Sequence, residues 1–205
     1  MKVYFRNSWG LVIGVDRYTA PIRSLVNAAR DAQAVADELG KLHGFARLML
    51  WRDSEATADR LRAYLSDLAT GGEMGTEDRM ILYFAGHGVS LRADREEPSG
   101  RILLSDAVAS DPGSFFDMRE LHELVRRLPC RHLLVVLDCC FAGAFRFGVR
   151  DLIATFGEPL AREWFRGLIE ERARQLLVST ASDQPAIDTI GGEPVADRDR
   201  WMTPP

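Results

Sequence analysis

Lysine is almost missing from this chain of 205 residues: Lys2 and Lys41 are the lysines, and arginine carries the rest of the positive charge. Such a bias is expected of GC-rich coding and points to a bacterial source. Cysteine is scarce as well. Cys130 and the adjacent Cys139 and Cys140 cannot build a disulfide framework, and without a CxxC spacing they do not read as a zinc site. Each is then core filler or a reactive thiol. Long apolar runs are lacking: Leu133 to Leu137 has strand length, far below the roughly 20 residues that span a bilayer, and no signal-peptide pattern opens the chain. The expectation is a cytoplasmic protein with no membrane partner. An excess of either charge is missing too, since 26 basic residues face 30 acidic ones for a net charge of -4. Nothing in that balance draws the chain to nucleic acid. Repeats and low-complexity tracts are absent. What is present is an ordinary globular mixture, 46% hydrophobic and 27% charged, which excludes a disordered, collagen-like or coiled-coil chain.

Short apolar runs alternate with helical patterns. The run around Val12, Ile13 and Val15, bounded by glycines, predicts a buried strand. From Ser24, taken as an N-cap, Leu25, Ala28, Ala32, Val35, Ala36 and Leu39 recur at helical spacing toward Gly40. The cycle repeats with a strand over Phe45 to Trp51, a helix over Thr57 to Leu68 and a strand over Arg79 to Ala85. Asp117 caps a further helix carrying Leu121, Leu124, Val125 and Leu128. Arg131 to Leu137 is rich enough in Leu and Val to predict a strand buried on both faces, and Gln175 to Ser179 reads as the last strand, after one helix near Leu160 to Arg172. Leu91 to Gly100 and Gly191 to Pro205 read as loops. Alternating strands and helices predict an α/β fold around a mostly parallel sheet.

Two strand ends carry reactive residues beside glycine: Ile81-Leu-Tyr-Phe-Ala-Gly-His87-Gly88 and Leu134-Val-Val-Leu-Asp138-Cys139-Cys140-Phe-Ala-Gly143. The carboxyl ends of parallel strands form one edge, so His87 and a cysteine can meet there. A thiolate with an imidazole as base, then as acid, is the chemistry of covalent acyl transfer. Glycines let backbone N–H groups approach an oxyanion, which makes the Gly88 and Cys140 N–H groups the candidate oxyanion hole. Alone, a histidine after a strand is most often a solvated one and a cysteine in a Val/Leu strand is most often filler. Their joint placement is what marks a site. His43, His122 and His132 lack that setting and read as surface or helix-face residues.

These segments resemble the caspase-like cysteine peptidases, the clan of caspases, metacaspases and their bacterial relatives (peptidase C14). Tyr83-Phe-Ala-Gly-His-Gly88 is similar to the family's histidine motif, and Asp138-Cys-Cys-Phe-Ala-Gly143 resembles the metacaspase-type Asp-x-Cys-x-Ser/Ala-Gly motif. His87 precedes Cys140 by 53 positions, close to the caspase spacing of about 50. By position in that motif the nucleophile is Cys140 and Cys139 is the variable middle residue. Strand alternation agrees, since Asp138 and Cys140 point to one side and Cys139 to the other.

The resemblance covers Trp9 to about Asp188 and implies a three-layer sandwich, a mostly parallel central sheet flanked by helices, here without its last strand. Residues 1–190 form the peptidase domain on this reading, and 191–205 a loop or truncated tail leading to a missing C-terminal element. It further implies hydrolysis after basic residues, Arg before Lys. Asp138 would line the pocket, and Arg30-Asp31-Ala32 matches the family's Asn-Asp-Ala segment at Asp31 and Ala32, giving a second acid. Asp16 carries less weight as a third. Asp183, in the segment after the last strand, is open to three readings: lining the cleft, binding calcium, or capping a turn. No EF-hand loop is present and no cofactor is assigned with certainty; calcium dependence stays open but has no support in the residues. The implied partners are protein substrates with exposed Arg or Lys and a regulatory sensor domain or protein, in bacterial defence or stress signalling. Arginines at 146, 150, 162, 166, 172, 174, 198 and 200 raise the expectation of self-cleavage near the site. A silent scaffold of the same fold and a thiol redox sensor are the competing classes.

Overall fold

Residues 5–91, 99–140 and 172–179 are described by the computed structural model. In chain order they form β1 (Ser8–Gly14), α1 (Ala28–Leu42), β2 (Arg47–Arg52), α2 (Ala58–Thr70), β3 (Arg79–Ala85), β4 (Gly88–Leu91), β5 (Ser99–Ile102), β6 (Phe116–Asp117), α3 (Met118–Arg126), β7 (His132–Asp138) and β8 (Ala173–Val178). The main sheet has the order β2-β1-β3-β7-β8, and every neighbouring pair in it is parallel. Gly14 pairs with Ala85 and Ala85 with Asp138, so β1, β3 and β7 end level. The turns leaving these three strands are therefore presented at one edge.

Alternation along the strands sorts two layers. Leu11, Ile13, Leu82, Phe84, Val135 and Leu137 are buried toward α2 and α3, against Leu61, Leu65, Leu121 and Val125. Val12, Tyr83 and Ala85 face the small residues Ala28, Ala32 and Ala36 of α1. The three-layer α/β sandwich expected from the sequence is present. β7 is less enclosed than its Leu/Val run predicts: Leu133, Val135 and Leu137 are buried, whereas Leu134 and Val136 are only half-buried. The reason is that α1 packs over β1, β2 and β3, leaving its side of β7 covered in part.

Helix starts separate local from distant capping. Asp117 accepts the Arg119 N–H at 2.8 Å, as the sequence suggests, and Thr57 accepts the Arg60 N–H at 3.4 Å at the start of α2. Asp106 reinforces α2 by taking the Ala58 N–H at 3.0 Å. α1 differs. It begins at Ala28 rather than beside Ser24, and the Ala28 N–H is taken at 2.8 Å by the Asp16 carboxylate. Segment 16–27 is held instead as a loop, with the Leu25 N–H on the Asp16 carbonyl.

A second, antiparallel sheet of order β4-β5-β6 comes after β3. Part of the loop expected over Leu91 to Gly100 is therefore strand, at Leu91, Ser99 and Gly100; residues 92–98 lie outside the described ones. Ile22, Leu103, Ala107 and Phe115 pack together beside Tyr18 and join this small sheet to the loop after β1.

At the opposite end of the main sheet, Asp78 is fully buried. Its Oδ1 accepts the Asn7 backbone and side-chain N–H groups, both at 3.0 Å, and its Oδ2 accepts the Trp9 indole at 3.1 Å and the Gly75 N–H at 3.0 Å. Its carbonyl takes the Arg131 N–H at 2.9 Å. One residue thus ties together the starts of β1, β3 and β7. No helix among the described residues is long and apolar enough to cross a membrane. The helix expected near Leu160, the tail from Gly191 and Asp183 lie outside the described residues.

Candidate active site

His87 stands two residues past β3, and Cys140 two residues past β7. Level strand ends bring the two turns together, and the Gly86 N–H donates to the Asp138 carbonyl at 3.3 Å. Gly88 makes the approach possible. A methyl group on its α-carbon would lie 3.1 Å from the Cys139 Sγ and collide with the Cys140 carbonyl oxygen. Backbone on backbone leaves little room to relax, so Gly88→Ala is expected to cost about 1–3 kcal/mol, a Tm drop of about 3–10 °C, and to slow alkylation of Cys140. Thermal melting and iodoacetamide labelling measure both, and wild-type values in both would show that the two turns are not in register contact.

The backbone and ring of His87 are held separately. Its N–H donates to the Tyr18 Oη at 2.9 Å, its carbonyl accepts the Leu103 N–H at 2.9 Å, and its Nε2 lies 2.6 Å from the Arg23 carbonyl. A carbonyl can only accept, so the neutral ring carries its proton on Nε2 and keeps the Nδ1 lone pair. The Tyr18 ring packs against the imidazole at 4.9 Å between centroids. Sequence reasoning misses both Tyr18 and the Arg23 carbonyl. The signal that could have found them is the strand-end rule itself, because both come after β1 at the same edge.

The two adjacent thiols differ in kind. Cys139 is buried with Leu137 and Phe84 in the larger core, where burial, then the charges of Cys140 and Asp138, push its thiol far above the ordinary range. Cys140 is half-exposed. Asp138 lies on the α1 side of the sheet, half-exposed, and Asp31 is exposed on the first turn of α1. Tyr83 joins them: burial first, then the negative charges of Asp138 and Asp31 and a hydrogen bond to Asp138, raise its phenol well above the usual value. Asp16 is committed to the start of α1. His43 is exposed after α1, His122 is half-buried on α3, and His132 begins β7 at the far end of the sheet with its ring edge-on to Phe5 at 5.0 Å.

Of the arginines considered for self-cleavage, two are described, and both are engaged. Arg172 donates to the Leu128 carbonyl at 2.6 Å, and Arg174 to the carbonyls of Leu128 at 2.9 Å and Cys130 at 3.0 Å, with its backbone inside β8. The other six lie outside the described residues. Among the described residues no group of three His, Cys, Asp or Glu side chains is arranged to hold a metal ion.

The fold is shared with the crystal structure of protein GSU0716 from Geobacter sulfurreducens, at a TM-score of 0.55 and 19% identity over 65% of this chain and 50% of that one. The crystal structure of the Drosophila initiator caspase Dronc is a more distant match, at a TM-score of 0.47 and 12% identity over 66% and 49%. The chain spans about half the length of each. A search of curated proteins gave no match. The caspase domain model of peptidase C14 matches residues 7–193, a span that runs from the start of β1 past the end of β8 and contains both strand-end turns. This chain therefore belongs to the caspase domain family of cysteine peptidases.

Proposed function

We propose that the protein is a cysteine endopeptidase that cleaves protein substrates after basic residues, Arg before Lys, with His87 and Cys140 as its dyad. The observation that supports the reading is the packing of Gly88 on the Cys140 carbonyl, which sets the histidine turn against the turn that carries the half-exposed Cys140. The His87 Nδ1 takes the Cys140 proton, and the thiolate adds to the scissile carbonyl. Backbone N–H groups of Gly88 and Cys140 receive the oxyanion. The imidazolium then protonates the departing amine as the C–N bond breaks, leaving a thioester on Cys140. Water, deprotonated by His87, hydrolyses that thioester and restores the thiol. Burial keeps Cys139 protonated and out of this chemistry, which also argues against a sensor built on the vicinal pair.

Asp138, hydrogen-bonded to the Tyr83 phenol, and Asp31, whose charge also acts on that phenol, supply the acidic pocket for a guanidinium. Asp138→Asn is expected to lower kcat/KM on Arg peptides by about a hundredfold, the scale of about 2–5 kcal/mol for losing one partner of a desolvated charge pair, with Cys140 still alkylatable. A fluorogenic panel with Arg, Lys and Asp before the scissile bond reads this directly. An order with Asp peptides fastest overturns the pocket. An Arg-directed thiol-reactive probe that labels Cys139 rather than Cys140 in mass spectra overturns the dyad. In the cell such an enzyme would be a regulated effector coupled to a sensor domain or protein, acting on exposed Arg and Lys sites.

A further inference from the structure

The His87 backbone sits at an irregular rung of the small sheet. β4 and β5 pair antiparallel with Gly88 opposite Ile102, so the next rung toward the site is His87 opposite Leu103. In a hydrogen-bonded rung of a regular antiparallel pair the two residues exchange both N–H···O bonds. Here one is direct, from the Leu103 N–H to the His87 carbonyl at 2.9 Å. The other is relayed. The His87 N–H donates to the Tyr18 Oη at 2.9 Å, and that hydroxyl donates to the Leu103 carbonyl at 3.3 Å. One hydroxyl has been inserted into the ladder, and it holds the rung open on the His87 side.

Gly86 makes room for it. A methyl group there would lie 2.8 Å from the Tyr18 Oη. The phenol itself is well placed for a permanent donor and acceptor. Burial first of all, with the carboxylates of Asp16 and Asp53 adding unfavourable negative charge and the His87 N–H opposing them, raises its pKa far above neutral. It remains protonated wherever the site operates.

We propose that Tyr18 is a positioning residue for His87, its hydroxyl spacing the His87–Leu103 rung so that the imidazole reaches the Arg23 carbonyl through Nε2 and presents Nδ1 to Cys140. This rests on the reading of His87 and Cys140 as a dyad. Tyr18→Phe keeps the ring contact with the imidazole and removes only the spacer. The His87 N–H then closes directly on the Leu103 carbonyl, which draws His87 toward β5 and away from Cys140. Because the backbone groups re-pair, stability changes little while alignment is lost.

The test compares wild type, Tyr18→Phe and His87→Ala in hydrolysis of an Arg peptide, in the pH profile of Cys140 alkylation by iodoacetamide, and in Tm. The expected result for Tyr18→Phe is a kcat about tenfold lower at unchanged KM, equivalent to about 1.4 kcal/mol. Its alkylation profile moves to higher pH, because a displaced imidazole stabilises the thiolate less, and its Tm stays near wild type. Wild-type kcat and alkylation in Tyr18→Phe, with His87→Ala inactive, overturns the positioning role and leaves the dyad standing. A fall in kcat and Tm with an unmoved alkylation profile also overturns it, since that is the signature of a purely structural tyrosine. Full activity and an unmoved profile in His87→Ala overturns the dyad itself. The alkylation arm needs no substrate, so the positioning role is tested even if the chosen peptide is cleaved poorly.

Discussion

Cys140→Ala is expected to lower kcat on an Arg peptide by about a thousandfold or more, and His87→Ala to do nearly the same. The two residues act as one unit, because a thiol without its base and a base without its thiol each leave only what the oxyanion donors and the pocket supply. Their effects should not add: the double variant should be no slower than either single one. Cys139→Ala, one residue away, is the informative contrast. Its side chain is 1% exposed and packs in the core, so the substitution opens a small cavity worth about 1 kcal/mol and leaves kcat close to wild type. Steady-state kinetics with active-site titration decides the assignment. An inactive Cys139→Ala beside an active Cys140→Ala would falsify it.

Asp78→Asn should have the largest effect on stability. The carboxylate accepts four N–H bonds, two on each oxygen, from Asn7, Trp9 and Gly75. An amide of the same shape presents an NH2 to one of these pairs, leaving two donors, part-buried or buried, facing another donor. At about 1–3 kcal/mol for each unsatisfied group the loss is about 2–6 kcal/mol, a large share of the 5–15 kcal/mol typical of a domain. For a chain of this length the Tm should fall by about 10 °C. The acid dependence should change as well. Burial alone would raise the Asp78 pKa, but the N–H groups of Gly75, Trp9 and Asn7, with Arg6 nearby, hold it below the usual carboxylate value. A folded-state pKa below the unfolded one contributes stability that is complete above about pH 4 and disappears as pH falls through the folded value. Denaturant titrations between pH 3 and 7 should therefore show a steeper acid loss in wild type than in Asp78→Asn. Parallel curves would mean that the buried carboxylate is not the group responsible.

The strand from Arg79 to Ala85 and the helix starting after Asp117 are readable in the sequence to the residue, because their signals are local: an apolar run that ends at glycine, and a carboxylate that reaches an N–H two residues on. Local signals also mark both reactive turns, since a nucleophile or base just past a buried strand and beside glycine needs no knowledge of the rest of the chain. They say less about β7, whose sequence is apolar throughout while its exposure alternates, because cover on a face is decided by which helix lies over it. Nor do they assign Asp16, which looks like a spare acid after β1 and in fact caps a helix 12 residues later. Tyr18 is the extreme case. Nothing within its own segment distinguishes it, and its importance comes from partners 69 and 85 residues away. Periodicity and capping report bonds made within a turn or along a strand, so element type and the chemistry at strand ends can be read from the sequence by itself. Hydrogen bonds that close across the sheet edge depend on the register of strands far apart in the chain, and only the assembled fold decides which hydroxyl or carbonyl orients the histidine.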